Sequence, residues 1–487
     1  MICNNTNTSD SRPKKQYYSN QDNLLTKIFF RSGIIFSVLT LLILSGCKSK
    51  NTEDTISYDF SEIIEKGEIT VATLSGSMSY FMYKGEPMGY EFELLENFAE
   101  SYNLKLDLKI AENEAKLTEL LEAGDVDLVA YNIPITNEGK DTLLYCGREV
   151  INEQVLIQRA NKGDTILKDV TELIGKEIWV IHGSKYYNRL VNLNNELGGG
   201  ISIKVIEKDT VSTEDLIEMV SKGEIPYTVS DEDLAKLNKT YYSNTNILLN
   251  ISHPQRSAWA VRKNTPELAA ALNEWFNSNQ NNPRYRAIIK RYFEMSKLPG
   301  DAPAPVIGPG QISPFDSLFK EFAPKLGWDW RLLASIAYQE SKFYTDRVSW
   351  AGATGLMGLM PRTAKAFGLE EDELTDPAGS VRAATGYIKR LNRSFNIIED
   401  ENEKIKFILA SYNAGSGHIY DAQALARKYG KDPYIWEGNV EEYLKLKNLP
   451  EFYNDPVCKQ GYFRSRETIN YVQQVMERWN YYQEKVK

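Results

Sequence analysis

Residues 298–313 read Leu-Pro-Gly-Asp-Ala-Pro-Ala-Pro-Val-Ile-Gly-Pro-Gly-Gln-Ile-Ser, and neither a helix nor a central strand passes through a run this rich in proline and glycine. The run divides the 487 residues into two parts with different rhythms. Ahead of it, residues 69–73, 104–110 and 127–130 read as strands, and 91–102 and 115–121 as helices, with Phe92, Leu95, Phe98 and Ala99 on one apolar face. The pattern restarts with strands at 177–181, 201–206 and 227–229 and a helix near 216–220, which predicts two α/β lobes with mainly parallel sheets. Behind the run, helical spacing dominates at 315–326, 330–343, 361–367, 381–392, 405–413 and 466–483, so the last part is expected to be mainly α. The expected fold class is therefore multidomain, a two-lobed α/β part followed by a helical one.

An apolar run at 33–44, after Lys27 and Arg31, is too short to span a bilayer, which takes about 20 apolar residues. Its basic flank and its end in Leu44-Ser45-Gly46-Cys47 resemble a bacterial lipoprotein signal, which implies cleavage before Cys47, lipidation of that cysteine and a membrane anchor. The expected boundaries are a signal at 1–47, a polar tether at 48–57, the α/β part at 58–297, the linker at 298–313 and the helical part at 314–487. A net charge of −9 supplies no overall basic surface for phosphates, and nucleic acid is not an expected partner. His182, His253 and His418 lack metal-ligand spacing and are read as structural or surface residues, so neither a metal nor another cofactor is expected. Cys146 and Cys458 fall in different expected domains, which argues against a disulfide between them.

The segment Tyr83-Lys84-Gly85-Glu86-Pro87-Met88-Gly89-Tyr90-Glu91-Phe92, followed by Gly124-Asp125-Val126-Asp127-Leu128 and Ile135-Thr136, resembles the family 3 extracellular solute-binding proteins. The resemblance implies a periplasmic-binding-protein-like fold that closes on a ligand by hinge motion. It places Asp231 where that family holds a ligand ammonium, the alternative being a helix cap. Ser184 falls at a helix start whose free N–H groups suit a carboxylate. After Thr136-Asn137-Glu138 this chain carries Gly139 and Lys140, not the arginine fork of amino-acid binders, so a cell-wall peptide or muropeptide, or no ligand at all, is expected rather than a free amino acid.

In the helical part the stripe Leu333, Ile336, Ala337 continues onto Glu340. Burial disfavours the charged form of a carboxyl, and a general acid has to keep its proton near neutral pH. The ordered segments Ala337-Tyr338-Gln339-Glu340-Ser341, Gly352-Ala353-Thr354-Gly355-Leu356-Met357-Gly358-Leu359-Met360-Pro361, Ala410-Ser411-Tyr412-Asn413-Ala414-Gly415 and Glu467-Thr468-Ile469-Asn470-Tyr471-Val472 resemble the soluble lytic transglycosylase catalytic domain. That domain is similar to the goose-type lysozyme fold. With the solute-binding-like part in front, the whole resembles the modular lytic murein transglycosylases of the cell envelope.

The resemblance implies a single catalytic carboxyl, Glu340, acting on peptidoglycan glycan strands without a cofactor. It would protonate the oxygen between N-acetylmuramic acid and N-acetylglucosamine, then take the proton of the muramoyl C6 hydroxyl as that oxygen attacks C1, leaving a 1,6-anhydro end. Substrate-binding roles are implied for Ser341, Gly355, Leu356, Met357, Tyr412, Asn413 and Tyr471, with Gly355 expected where a side chain would clash with sugar. Gly358 stands where the family usually has glutamine. A binding or sensing lipoprotein with a decayed catalytic domain, or a lysozyme-like hydrolase, are the alternatives. The expected location is the cell envelope, lipid-anchored to the outer membrane and facing the periplasm.

Overall fold

The structure, a computed structural model, describes residues 58–206, 211–295, 308 and 310–486. The expected signal with Cys47, the tether and most of the linker lie outside the described residues.

Twelve strands are described: β1 (Glu68–Leu74), β2 (Phe81–Tyr83), β3 (Glu86–Met88), β4 (Lys105–Ala111), β5 (Leu128–Pro134), β6 (Leu143–Asn152), β7 (Gln154–Arg159), β8 (Glu177–Ile181), β9 (Ser202–Ile206), β10 (Tyr227–Asp231), β11 (Thr245–Asn250) and β12 (Gln255–Arg262). They form two lobes with sheet orders β4-β1-β5-β12-β6 and β11-β7-β10-β8-β9, and a separate β2-β3 hairpin. In the first lobe β1 runs parallel to β4 and β5, whereas β12 runs antiparallel to β5 and β6. In the second, β8 runs parallel to β9 and β10, whereas β7 is antiparallel to β10 and β11.

The sheets are therefore mixed, not mainly parallel, and connectivity is the cause. β6 runs on into β7 across a single residue, and β11 returns to β12 through residues 251–254. These strands enter the opposite sheet without a helical crossover, and only a crossover makes neighbours parallel. The same two passages join the lobes.

The first lobe packs β1, through Ile69 and Val71, against the helix Tyr90–Ser101, whose Phe92, Leu95, Phe98 and Ala99 are all buried as their spacing predicts. In the helical part, Asp329 caps the helix Trp330–Ser341, its side chain accepting from Arg331 N. Leu332 to Ala337 are fully buried, and the helix packs along the C-terminal helix Arg466–Lys485. Pro361 and Pro377 open the helices Pro361–Ala366 and Pro377–Ser394, positions at which a missing N–H costs nothing. Among the described residues no helix is long and apolar enough to cross a membrane. Cys146 and Cys458 are free thiols.

Candidate active site

Glu340 ends the apolar stripe of the helix Trp330–Ser341, one residue before that helix finishes. Lys342 and Phe343 then take φ of 57° and 68°, left-handed values that non-glycine residues avoid. Ser341 holds this bend. Its buried hydroxyl accepts from Phe343 N at 3.1 Å and donates to the Leu356 carbonyl at 2.8 Å, tying the acid-bearing helix to the loop 355–358. Tyr412, on the helix Glu401–Ala414, braces the same loop by donating to the Met357 carbonyl at 2.8 Å, and Met357 N donates to Ser380 Oγ at 3.1 Å.

The side chains of Leu356 and Met357 are buried, so in this conformation the loop presents backbone, not apolar surface, to the site. Asn413 accepts from Thr468 Oγ1 at 2.6 Å, joining its helix to Arg466–Lys485, the helix that carries Tyr471. Gly355 is required for a reason other than the expected one. Its φ is +81°, and a Cβ would meet the Leu374 carbonyl oxygen at 2.1 Å, so protein packing rather than a sugar excludes a side chain. The residue that faces the acid is Gly358, where a Cβ would lie 2.3 Å from Glu340 Oε2.

Three tyrosines surround the carboxyl. Burial, and then the charge of Glu340, hold the phenols of Tyr412 and Tyr471 well above their ordinary value, and Tyr83 is raised by burial, then Glu467, then Glu340. All three remain protonated donors at neutral pH. Glu340 Oε1 and the Tyr471 hydroxyl are both buried. The Tyr471 hydroxyl interacts with the Glu340 carboxyl itself, so the two buried polar groups face each other across the site.

The other carboxylate oxygen is taken. Lys84, at the tip of the β2-β3 hairpin, places Nζ 3.0 Å from Glu340 Oε2 and 3.4 Å from the Gly358 carbonyl, with both charged side chains less than a tenth exposed. Tyr83 packs on Trp350 with ring centroids 5.1 Å apart. The sequence reading missed Lys84, because a lysine beside glycine at a turn looks solvated and only the docking of the hairpin buries it.

The chain matches the family model of the bacterial extracellular solute-binding proteins, family 3, over residues 69–295, and that of the transglycosylase SLT domain over 317–435. A protein of Desulfosudis oleivorans named membrane-bound lytic murein transglycosylase F is 31% identical over 424 residues, which cover 85% of this chain and 90% of that protein. The chain belongs to the membrane-bound lytic murein transglycosylase F family. A member of the family from Stutzerimonas stutzeri is 28% identical over 445 residues, covering 90% of this chain and 88% of its own. The solved Lactococcus lactis GlnP substrate binding domain 2 is 20% identical, covers 49% of this chain and 98% of its own, and has a TM-score of 0.40.

In the solute-binding module Asp231 ends β10 and makes no capping bond to the helix Glu232–Lys239 that follows. Its carboxylate instead accepts from Lys185 Nζ at 2.5 Å, so a neighbouring lysine occupies the position expected for a ligand ammonium. Ser184 caps the helix Lys185–Glu196, its hydroxyl accepting from Tyr187 N at 3.2 Å.

The module also holds the catalytic domain at a second place. Tyr462 donates to Glu214 Oε2 at 2.6 Å, the buried guanidinium of Arg464 lies 3.8 Å over the Tyr241 ring and donates to Asn238 at 3.0 Å, and Asn448 donates to Asp215 at 2.8 Å.

Proposed function

We propose that Glu340 is the acid and base of a lytic transglycosylase that cuts peptidoglycan between N-acetylmuramic acid and N-acetylglucosamine. The observation that carries this reading is the buried carboxyl set between Tyr412 and Tyr471, whose phenols both feel its charge. Glu340 gives its proton to the bridging oxygen as the bond to C1 breaks, and the carboxylate then accepts the proton of the muramoyl C6 hydroxyl as that oxygen bonds to C1. No water enters. The nucleophile belongs to the substrate and acts at high effective concentration. Ser341 and Tyr412 hold the loop 355–358 against the acid, and Asn413 fixes the helix of Tyr471.

A carboxylate paired with an ammonium has no proton to give, so the arrangement with Lys84 on Glu340 is a resting one. The solute-binding module then regulates the enzyme, with a cell-wall peptide or muropeptide in the cleft near Ser184 and Asp231. A cationic ligand group displaces Lys185 from Asp231. Lipidation at Cys47 anchors the chain to the outer membrane, facing the periplasm.

Mass spectrometry of products released from purified sacculi tests the reading. Anhydro-ended muropeptides are expected from the wild-type chain and at least about a hundredfold less from Glu340→Gln, and reducing ends would make it a hydrolase. Incorporation of labelled palmitate that disappears in Cys47→Ala tests the anchor.

A further inference from the structure

The hairpin touches the catalytic domain at a second polar point, and that point is a built one. His418, on the helix Ser416–Lys428, is 1% exposed and stacks on Phe463 with ring centroids 4.2 Å apart. Its Nδ1 faces Lys447 Nζ at 3.1 Å, and Lys447, fully buried, donates to Asp421 Oδ2 at 2.6 Å. Asp421 is itself fixed by the backbone N–H groups of Lys459 and Gln460, each at 2.9 Å.

An ammonium can only donate, so Nδ1 of His418 carries the lone pair and Nε2 carries the hydrogen. Burial, then the Lys447 charge, hold the imidazole well below its ordinary value and keep it neutral. The result is an N–H donor of fixed tautomer and orientation. It points at the Met82 carbonyl, 3.0 Å away, in the strand two residues before Lys84. His418 lines a cleft of about 280 Å³ together with Ala414, Gly415, Tyr387, Arg390 and Gln460.

We infer that His418 is a substrate-positioning residue whose Nε2–H binds an amide carbonyl of the glycan strand, in the place that the Met82 carbonyl holds in the resting enzyme. The hairpin lays a backbone amide on His418 and an ammonium on Glu340. Residues 82 and 84 of one hairpin thus cover both points, the first through its backbone carbonyl and the second through its side chain. Peptidoglycan offers the matching group twice, as the N-acetyl carbonyl of each sugar and as the amides of its stem peptide. A neutral, pre-oriented donor suits an uncharged carbonyl, whereas Arg390 in the same cleft suits an anion. The assignment rests on the transglycosylase reading of Glu340.

The test uses the full chain carrying Lys84→Ala, in which the hairpin has lost its hold on the acid. Binding of tetra-N-acetylchitotetraose, its fully de-N-acetylated counterpart and a peptide-bearing muramoyl oligosaccharide is measured by calorimetry. His418→Phe keeps the stack on Phe463 and deletes the donor, and His418→Gln keeps an N–H donor; melting curves check that both fold. His418→Phe is expected to weaken the N-acetylated ligand about three- to tenfold, the worth of one neutral hydrogen bond. His418→Gln is expected to recover most of that loss, and the de-N-acetylated ligand to show no difference. On sacculi the change is expected in KM more than in kcat.

A loss confined to the peptide-bearing ligand assigns the carbonyl to the stem peptide. Equal affinities of parent and His418→Phe for every ligand overturn the inference and leave His418 as a latch for the hairpin alone. Because binding needs no turnover, a parent chain that binds but releases no anhydro ends sinks the transglycosylase reading while the calorimetry still decides the role of His418.

Discussion

Lys84 and Glu340, 256 residues apart in the chain, form a buried ion pair at 3.0 Å. The pair joins a hairpin of the solute-binding module to the buried carboxyl of the transglycosylase domain. Lys84→Met removes the ammonium that occupies the carboxylate. We expect the initial rate of anhydro-muropeptide release from sacculi to rise on the order of tenfold, the usual scale of coupling between sites. A rate at or below wild type contradicts the resting-state reading.

Glu340→Gln removes the acid and strands Lys84 in the interface. Activity should fall about 10²- to 10⁴-fold, the range for general acid–base groups. Breaking a buried pair from one side costs about 3–5 kcal/mol, so the melting temperature should also fall. The double variant Lys84→Met/Glu340→Gln should regain much of that stability without regaining activity. If the double variant melts as low as Glu340→Gln alone, the two residues are not energetically coupled.

Gly358 allows the lock to form. Its φ of +58° disfavours any L side chain by about 1–2 kcal/mol, and a Cβ there meets Glu340 Oε2 at 2.3 Å and Glu340 Cβ at 2.9 Å. Gly358→Ala should therefore displace Glu340 from Lys84, lower the melting temperature by several degrees and expose the hairpin 81–88 to limited proteolysis. An unchanged proteolytic pattern would mean that the site has room to spare.

Asp329 makes an acid-sensitive contribution to stability. Burial pushes its carboxyl up, but hydrogen bonds from Arg331, Gln483 and Trp479 outweigh that effect and bring it down to about 2. An aspartate in an unfolded chain titrates near about 3.9. A depressed value means that the contribution is complete above about pH 4 and is lost as pH falls toward 2. Asp329→Asn, which keeps a capping side chain while removing the titrating carboxylate, should flatten acid denaturation in that window, read from urea melts across pH. A parallel displacement of the two curves at all pH values would exclude the carboxylate as the cause.

Much of the architecture was legible because it follows from periodicity. The stripe ending in Glu340, the face Phe92-Leu95-Phe98-Ala99 and the Pro/Gly break each depend on residues close in sequence. β6, β7, β11 and β12 were not read, since they lack the helix-punctuated rhythm and are defined by pairing across lobes. At the site, Glu340, Tyr412 and Tyr471 were placed together correctly. The particular partners of Gly355 and Ser341 were not legible, because each is a backbone carbonyl from a distant segment, Leu374 for one and Leu356 for the other. Lys84 acquires its partner only when the two halves dock, and the partner that orients His418, Lys447, lies 29 residues away in the sequence.

The catalytic domain is gripped by both lobes at once, by the hairpin of the first and by Glu214, Asn238 and Tyr241 of the second. Only two short passages of chain connect those lobes, so bringing them together about a bound molecule swings one past the other. A body clamped to both cannot follow both. If the lobes close on a ligand as proposed above, one of these grips has to give, and where it is the one at the hairpin, Lys84 leaves the carboxyl that it covers.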